Sequence, residues 1–192
     1  RDLHSCPTRR SSDLINRGIT PKYDDSAKGL VVNQKCIRDG RLSLAQARRQ
    51  SKEVKPDRLL QLGDVLINST GTGTLGRVAQ VRREIPDCTV DTHVTIVRPG
   101  DRKAIGYVGV ALLELEPVFS QMGIGATNQT ELNRADIGAV QLLAPPASVR
   151  EAFHNAVWPL CEQVENLAAA NELLAQARDA LLPKLMSGQL TV

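Results

Sequence analysis

The chain has 192 residues, 42% of them hydrophobic and 23% charged, with a formal net charge of +3. That is enough for one fair-sized domain plus an appendage and excludes wholesale disorder, while the mild positive charge permits a nucleic-acid partner without requiring one. The cysteines (6, 36, 88 and 161) and histidines (4, 93 and 154) are too scattered for a zinc site or a disulfide framework. Reduced thiols in a cytoplasmic chain without metal or cofactor are therefore expected. No apolar run reaches the roughly 18 residues of a membrane span, and no apolar segment follows the basic start, so neither a membrane helix nor a signal peptide is expected.

Residues 1–14 show no helical or strand periodicity and are read as a foreign or disordered tail outside the fold. From 15 to about 145 the chain reads as mixed α and β. Strands are expected at 30–37, 64–70, 77–81 and 89–97, all short, β-branched and bounded by Gly, Pro or Asp. In the last, Val90, Thr92, Val94 and Ile96 would share one face, with Asp91, His93 and Thr95 on the other. A helix is expected at 105–116, broken at Pro117. A short helix capped by Thr130 and a final strand ended by Pro145 and Pro146 would follow.

From Ala147 the chain turns rich in Ala, Leu, Glu and Gln, all good helix formers. Pro159 is expected to divide this region into a short helix and a longer one, since proline suits a helix's first turn and not its interior. Leu160, Val164, Leu167, Leu174 and Leu181 recur at heptad spacing, with Asn171 and Arg178 interrupting the stripe. Two readings remain open: a surface helix packed on its own domain, or an intermolecular coiled-coil seam whose Asn171 sets register.

Gly71, Gly73 and Gly76 form G-x-G-x-x-G, and Val78 extends it to G-x-G-x-x-G-x-V. A dinucleotide site needs a helix after that loop, so that its N-terminus faces the pyrophosphate. Here the alternation of "RVAQV" predicts a strand instead. A kinase-type loop lies between strands, but its chemistry needs a lysine on the next strand and downstream metal-binding motifs. Gln80 occupies that strand, and neither HRD nor DFG occurs. Asn68, Ser69, Thr70, Thr72, Thr74 and Arg77 surround the glycines. The loop reads either as a tight hairpin needing positive φ or as a surface for phosphate oxygens.

"RGITPKY" (17–23), "VVNQKCIRDGRL" (31–42), "LQLGDVLINSTGTGTLGRV" (60–78), "GATNQTELN" (125–133) and "RDALLPKLMSGQL" (178–190) together resemble type I restriction–modification specificity (S) subunits, collinearly over about 15–192. The resemblance implies an α+β, mixed-sheet target recognition domain at 15–145. A helical, coiled-coil spacer at 146–192 would follow and dock methyltransferase (modification) subunits. The chain would be half of a subunit that usually carries two of each: a fragment, or a half that dimerises or pairs with a second half. It would read double-stranded DNA without catalysing anything. Adenine methylation and restriction would fall to partner subunits, which would hold the S-adenosylmethionine, ATP and magnesium.

On that reading Lys22, Lys35, Arg38, Arg41, Arg77, Arg82 and Arg83 are candidate phosphate contacts. Asn128, Gln129 and His93 are candidate base readers, because an amide can pair bidentately with adenine. The docking candidates are Leu160, Val164, Leu167, Asn171, Leu174 and Leu181. Two other readings compete with this one. An adenine methyltransferase needs a polar residue and an aromatic flanking a Pro-Pro pair, where this chain has Ala144 and Ala147. An adaptor that has lost DNA binding is the other.

Overall fold

The computed structural model describes residues 3–5, 14–123 and 131–189. Its centre is a four-stranded antiparallel sheet ordered β2 (Leu14–Arg17), β10 (Val94–Arg98), β7 (Val65–Asn68), β8 (Val78–Gln80). A second sheet is ordered β6 (Arg48–Gln50), β3 (Gly29–Val32), β9 (Cys88–Val90), with β3 and β9 parallel. Two-stranded pairs join β4 (Ile37–Arg38) to β5 (Arg41–Leu42), and β1 (Leu3–Ser5) to β11 (Gln141–Leu143).

The central strands are buried on both faces, which is why they are apolar almost throughout. The two-residue period divides them between two cores. Val65, Ile67, Val78 and Val97 meet Val108, Leu112, Phe119, Leu132 and Ile137 of the helical side. Leu66, Ala79, Val94 and Ile96 meet Val32, Cys88 and Val90 of the second sheet and Ile37 of the β4–β5 pair.

Several expected elements are shorter than their apolar runs. The 30–37 stretch is β3, then a 3-10 turn at Gln34–Cys36 capped by the Asn33 side chain, then β4. The 89–97 stretch is two strands in different sheets, because Asp91 turns the chain at 91–93, accepting from His93 N–H at 2.9 Å. Thr95, expected on an outer face, is fully buried because helices cover that side.

Pro117 ends one helix and starts the next, as expected: α1 is Ile105–Glu114 and α2 is Glu116–Met122. The short helix, α3 (Arg134–Ala139), takes its cap from Asn133, whose Oδ1 accepts from Asp136 N at 2.9 Å. Thr130, the expected cap, lies outside the described residues. The final strand β11 forms as expected and pairs with Leu3–Ser5, inside the stretch read as a tail. That pairing gives β11 a hydrogen-bonding neighbour it would otherwise lack.

The C-terminal region departs most from expectation. It is one helix, α4 (Ala147–Met186), with Pro159 and Pro183 inside it, about 60 Å long at 1.5 Å per residue. Pro159 and Asn155 are both exposed, so water can reach the carbonyl that loses its partner, and the helix runs through. The first half of α4 is anchored on α1. Phe153 meets Tyr107 edge-on at 5.8 Å, His154 Nδ1 accepts from Gly106 N at 3.3 Å, and Trp158 and Cys161 are buried. Salt bridges join Arg150 to Asp101 (3.5 Å) and Lys103 to Glu151 (2.9 Å). Beyond Val164 the helix emerges from the globule, and its last turns are exposed all round.

Candidate nucleic-acid interface

The glycine loop joins β7 to β8, an antiparallel pair in which Ile67 faces Val78. Gly71, Gly73 and Gly76 have φ of 110°, 73° and 79°, the left-handed region that side chains resist. The N–H groups of Thr74 and Leu75 donate to Gly71 O, that of Gly76 to Asn68 O, and that of Arg77 to Thr74 O. These donors are consumed inside the turn, so they build no phosphate cradle of the nucleotide-binding kind.

Asn68 and Ser69 are fully buried. Asn68 Nδ2 donates to Gln34 O and Thr74 O, both at 3.0 Å, tying the loop to the turn that carries Lys35. Ser69 Oγ lies 2.5 Å from Thr95 Oγ1, and Ser69 N–H donates to His93 O at 2.8 Å. Both side chains therefore hold the loop in place and are out of reach of an external ligand. Thr72 is exposed, and Thr70 and Thr74 are half-buried. Arg77 is half-buried and donates to Gly73 O at 2.9 Å.

His93 projects from the turn between β9 and β10. The buried Asp91 carboxylate accepts from its backbone N–H and lies 3.1 Å from its Nδ1. That contact favours hydrogen on Nδ1 and leaves Nε2 free to accept; the side chain is 49% exposed. Lys35, Thr70, Thr72, Thr74, Arg77 and His93 thus gather at one end of the two sheets, where β3, β7 and β9 finish and β10 begins.

Other candidates stand elsewhere. Arg82 and Arg83 follow β8 at the opposite end from the loop. Arg41 and Arg82 line a cleft with Leu113, Glu114, Glu116 and Val164, and exposed Arg38 pairs with Arg41 on the adjoining hairpin. Exposed Lys22 lies beside β6, where its carbonyl accepts from Ser51 N–H. Asn128 and Gln129 lie outside the described residues. Sequence reasoning missed Arg17, Arg58 and Arg134, which line one pocket with Asn133 next to the loop. They come from distant stretches, and no local pattern marks them.

On α4, Leu160, Leu167, Leu174 and Leu181 are 60%, 57%, 66% and 47% exposed, and Asn171 is exposed as well. Val164 is half-buried against the cleft of its own domain. Leu173, Leu182, Leu185 and Met186 are also exposed and widen the apolar surface beyond the predicted stripe. Among the described residues no helix is long and apolar enough to cross a membrane, and no cluster of His, Cys, Asp and Glu could hold a metal ion.

No protein-family model matches the chain. A type I restriction enzyme MjaIX specificity subunit of Methanocaldococcus jannaschii is 36% identical over 86 residues, 45% of this chain and 19% of that protein. Among solved structures, the type I restriction–modification S subunit from M. genitalium aligns with 97% of this chain and 46% of its own at a TM-score of 0.67 and 16% identity. A chain from a structure of the assembly and conformational transition of the type I system aligns with 95% of this one and 45% of its own (TM-score 0.61, 18% identity). The HsdS subunit from Thermoanaerobacter tengcongensis aligns with 98% and 45% (TM-score 0.57, 20% identity). The chain spans under half the length of each of these proteins. The expected α+β fold with a helical extension is therefore borne out: in sequence over one segment, and in fold over nearly its whole length, the chain is similar to half of a type I restriction–modification specificity subunit.

Proposed function

We propose that this chain is the recognition half of a type I restriction–modification specificity subunit. Its globular part binds double-stranded DNA through the sheet end that carries the glycine loop, Lys35 and His93. The free half of α4 docks methyltransferase subunits, and through them the restriction subunit. The chain breaks no bonds itself; it holds the partner's active site at a set distance from the bases read.

The observation that carries this reading is the division of α4. Its first half is bolted to the globule, while its second half presents exposed leucines along a rod. A helix packed only on its own domain would bury that stripe. An apolar surface of this kind on a soluble chain marks a place where another chain packs. The reading also draws on the likeness to specificity subunits and on the polar and basic side chains around the loop.

A gel-shift titration with duplex DNA tests it. Several neutralised phosphates predict affinity that falls steeply between about 50 and 200 mM salt, together with a preferred sequence. An adaptor without DNA binding predicts neither, and a flat salt response with no sequence preference would overturn the proposal.

A further inference from the structure

We infer that the pocket formed by Arg17, Arg58, Asn133 and Arg134 grips one backbone phosphate of the duplex. This rests on the DNA reading above and adds a site to it. Arg17 ends β2 and is held by the Glu131 carboxylate and by Leu132 O at 3.0 Å. Arg58 donates to the backbone carbonyls of Arg17 and Gly18, and Asp57 lies 3.9 Å from its Nε. Arg134 opens α3, is exposed, and has no ion-pair partner among the described residues.

A guanidinium carries five N–H donors, and the internal contacts of Arg17 and Arg58 use only some of them. Arg17 Nε is buried with no acceptor. Cationic side chains lining one hollow repel one another unless an anion offsets them, and a tetrahedral oxyanion matches the fork geometry of a guanidinium. Glu131 offsets the charge of Arg17 and Asp57 part of that of Arg58, which leaves Arg134 as the uncompensated cation.

Position selects the source of the anion. Glu131 bridges Thr70, and Leu132 N–H donates to Ser69 O at 2.8 Å. The pocket therefore adjoins the glycine loop and His93 at the same sheet end. A duplex lying across that end would bring its backbone over Arg134, so the occupant is a phosphodiester and the contact is blind to sequence.

The test compares Arg134→Gln with Arg102→Gln, a charge-matched change on an exposed residue beyond the far end of β10, outside every candidate contact. Binding of the full chain to a fluorescent duplex of arbitrary sequence is followed across the same salt range. Arg134→Gln should weaken low-salt binding about tenfold and reduce the slope of log K against log salt by about 0.9. Sequence preference should be unchanged, and Arg102→Gln should have little effect. Equal effects of the two changes, or none from Arg134→Gln, would overturn the pocket and leave the DNA reading standing. A wild-type chain that ignores duplex at low salt would sink the DNA reading and this assignment with it. If inorganic phosphate alone then raised its melting midpoint, and less so in Arg134→Gln, the site would be one for a free anion.

Discussion

Gly73 and Gly76 share a backbone conformation but not an environment, so alanine at each separates strain from crowding. Their φ angles are 73° and 79°. Alanine in the left-handed region costs about 1–2 kcal/mol at either site. A Cβ at Gly73 meets nothing within 4 Å, whereas one at Gly76 would lie 2.3 Å from Ser120 N and 2.6 Å from Phe119 C. Those atoms are backbone of α2, and Phe119 is fully buried, so they cannot swing aside as a flexible side chain would. Overpacking of this kind adds about 1–3 kcal/mol. Gly73→Ala should therefore lose about 1–2 kcal/mol and Gly76→Ala about 2–5 kcal/mol. Urea unfolding followed by far-UV circular dichroism and by the fluorescence of Trp158 measures both. Equal losses would refute the claim that the loop is seated on α2.

Other predictions concern the core, the thiols and the helix. Asp64 is fully buried, with Arg98 Nε and Nη2 each 2.8 Å from one of its carboxylate oxygens and Gln61 N–H donating at 2.8 Å. Asp64→Ala strands that guanidinium and should cost about 3–5 kcal/mol; a double-mutant cycle with Arg98→Met should show clear coupling, and simple additivity would contradict the pairing. Burial, with a smaller contribution from Cys36, pushes the Cys88 thiol from 9.0 up to about 12. The unfolded chain then releases a proton above pH 9 that the folded chain keeps. Stability should fall from pH 9 toward 12 by up to about 1.4 kcal/mol per pH unit, and be fully present below pH 9. Cys88→Ala should flatten that slope; an unaltered slope would rule the thiol out as its source. Replacing Leu167 and Leu174 with Asp should leave unfolding free energy within about 0.5 kcal/mol of the parent, since both are more than half exposed. The same change should abolish co-purification with a methyltransferase subunit, and retained co-purification would count against docking.

Local pattern alone determined the mixed α/β body, the strands on either side of the glycine loop, the break at Pro117 and the helical C-terminal region. Each follows from side-chain periodicity, φ restriction or a missing N–H, which act over a few residues. The heptad stripe of leucines on α4 was legible for the same reason, although its exposure was not. Tertiary packing decided the rest. A proline usually stops a helix, but α4 continues through Pro159, where the affected carbonyl meets solvent and the preceding turns are anchored on α1. Asn68 and Ser69 look like ligand-facing loop residues, yet burial beside Gln34 and Thr95 turns them inward. The 89–97 run divides between two sheets because Asp91 can satisfy the turn from within. Above all, Arg17, Arg58 and Arg134 share a pocket only because β2, the turn at Pro56–Arg58 and α3 are folded together. Convergence of like charges from separate stretches leaves no trace in local sequence, because what joins them is the path of the chain in space.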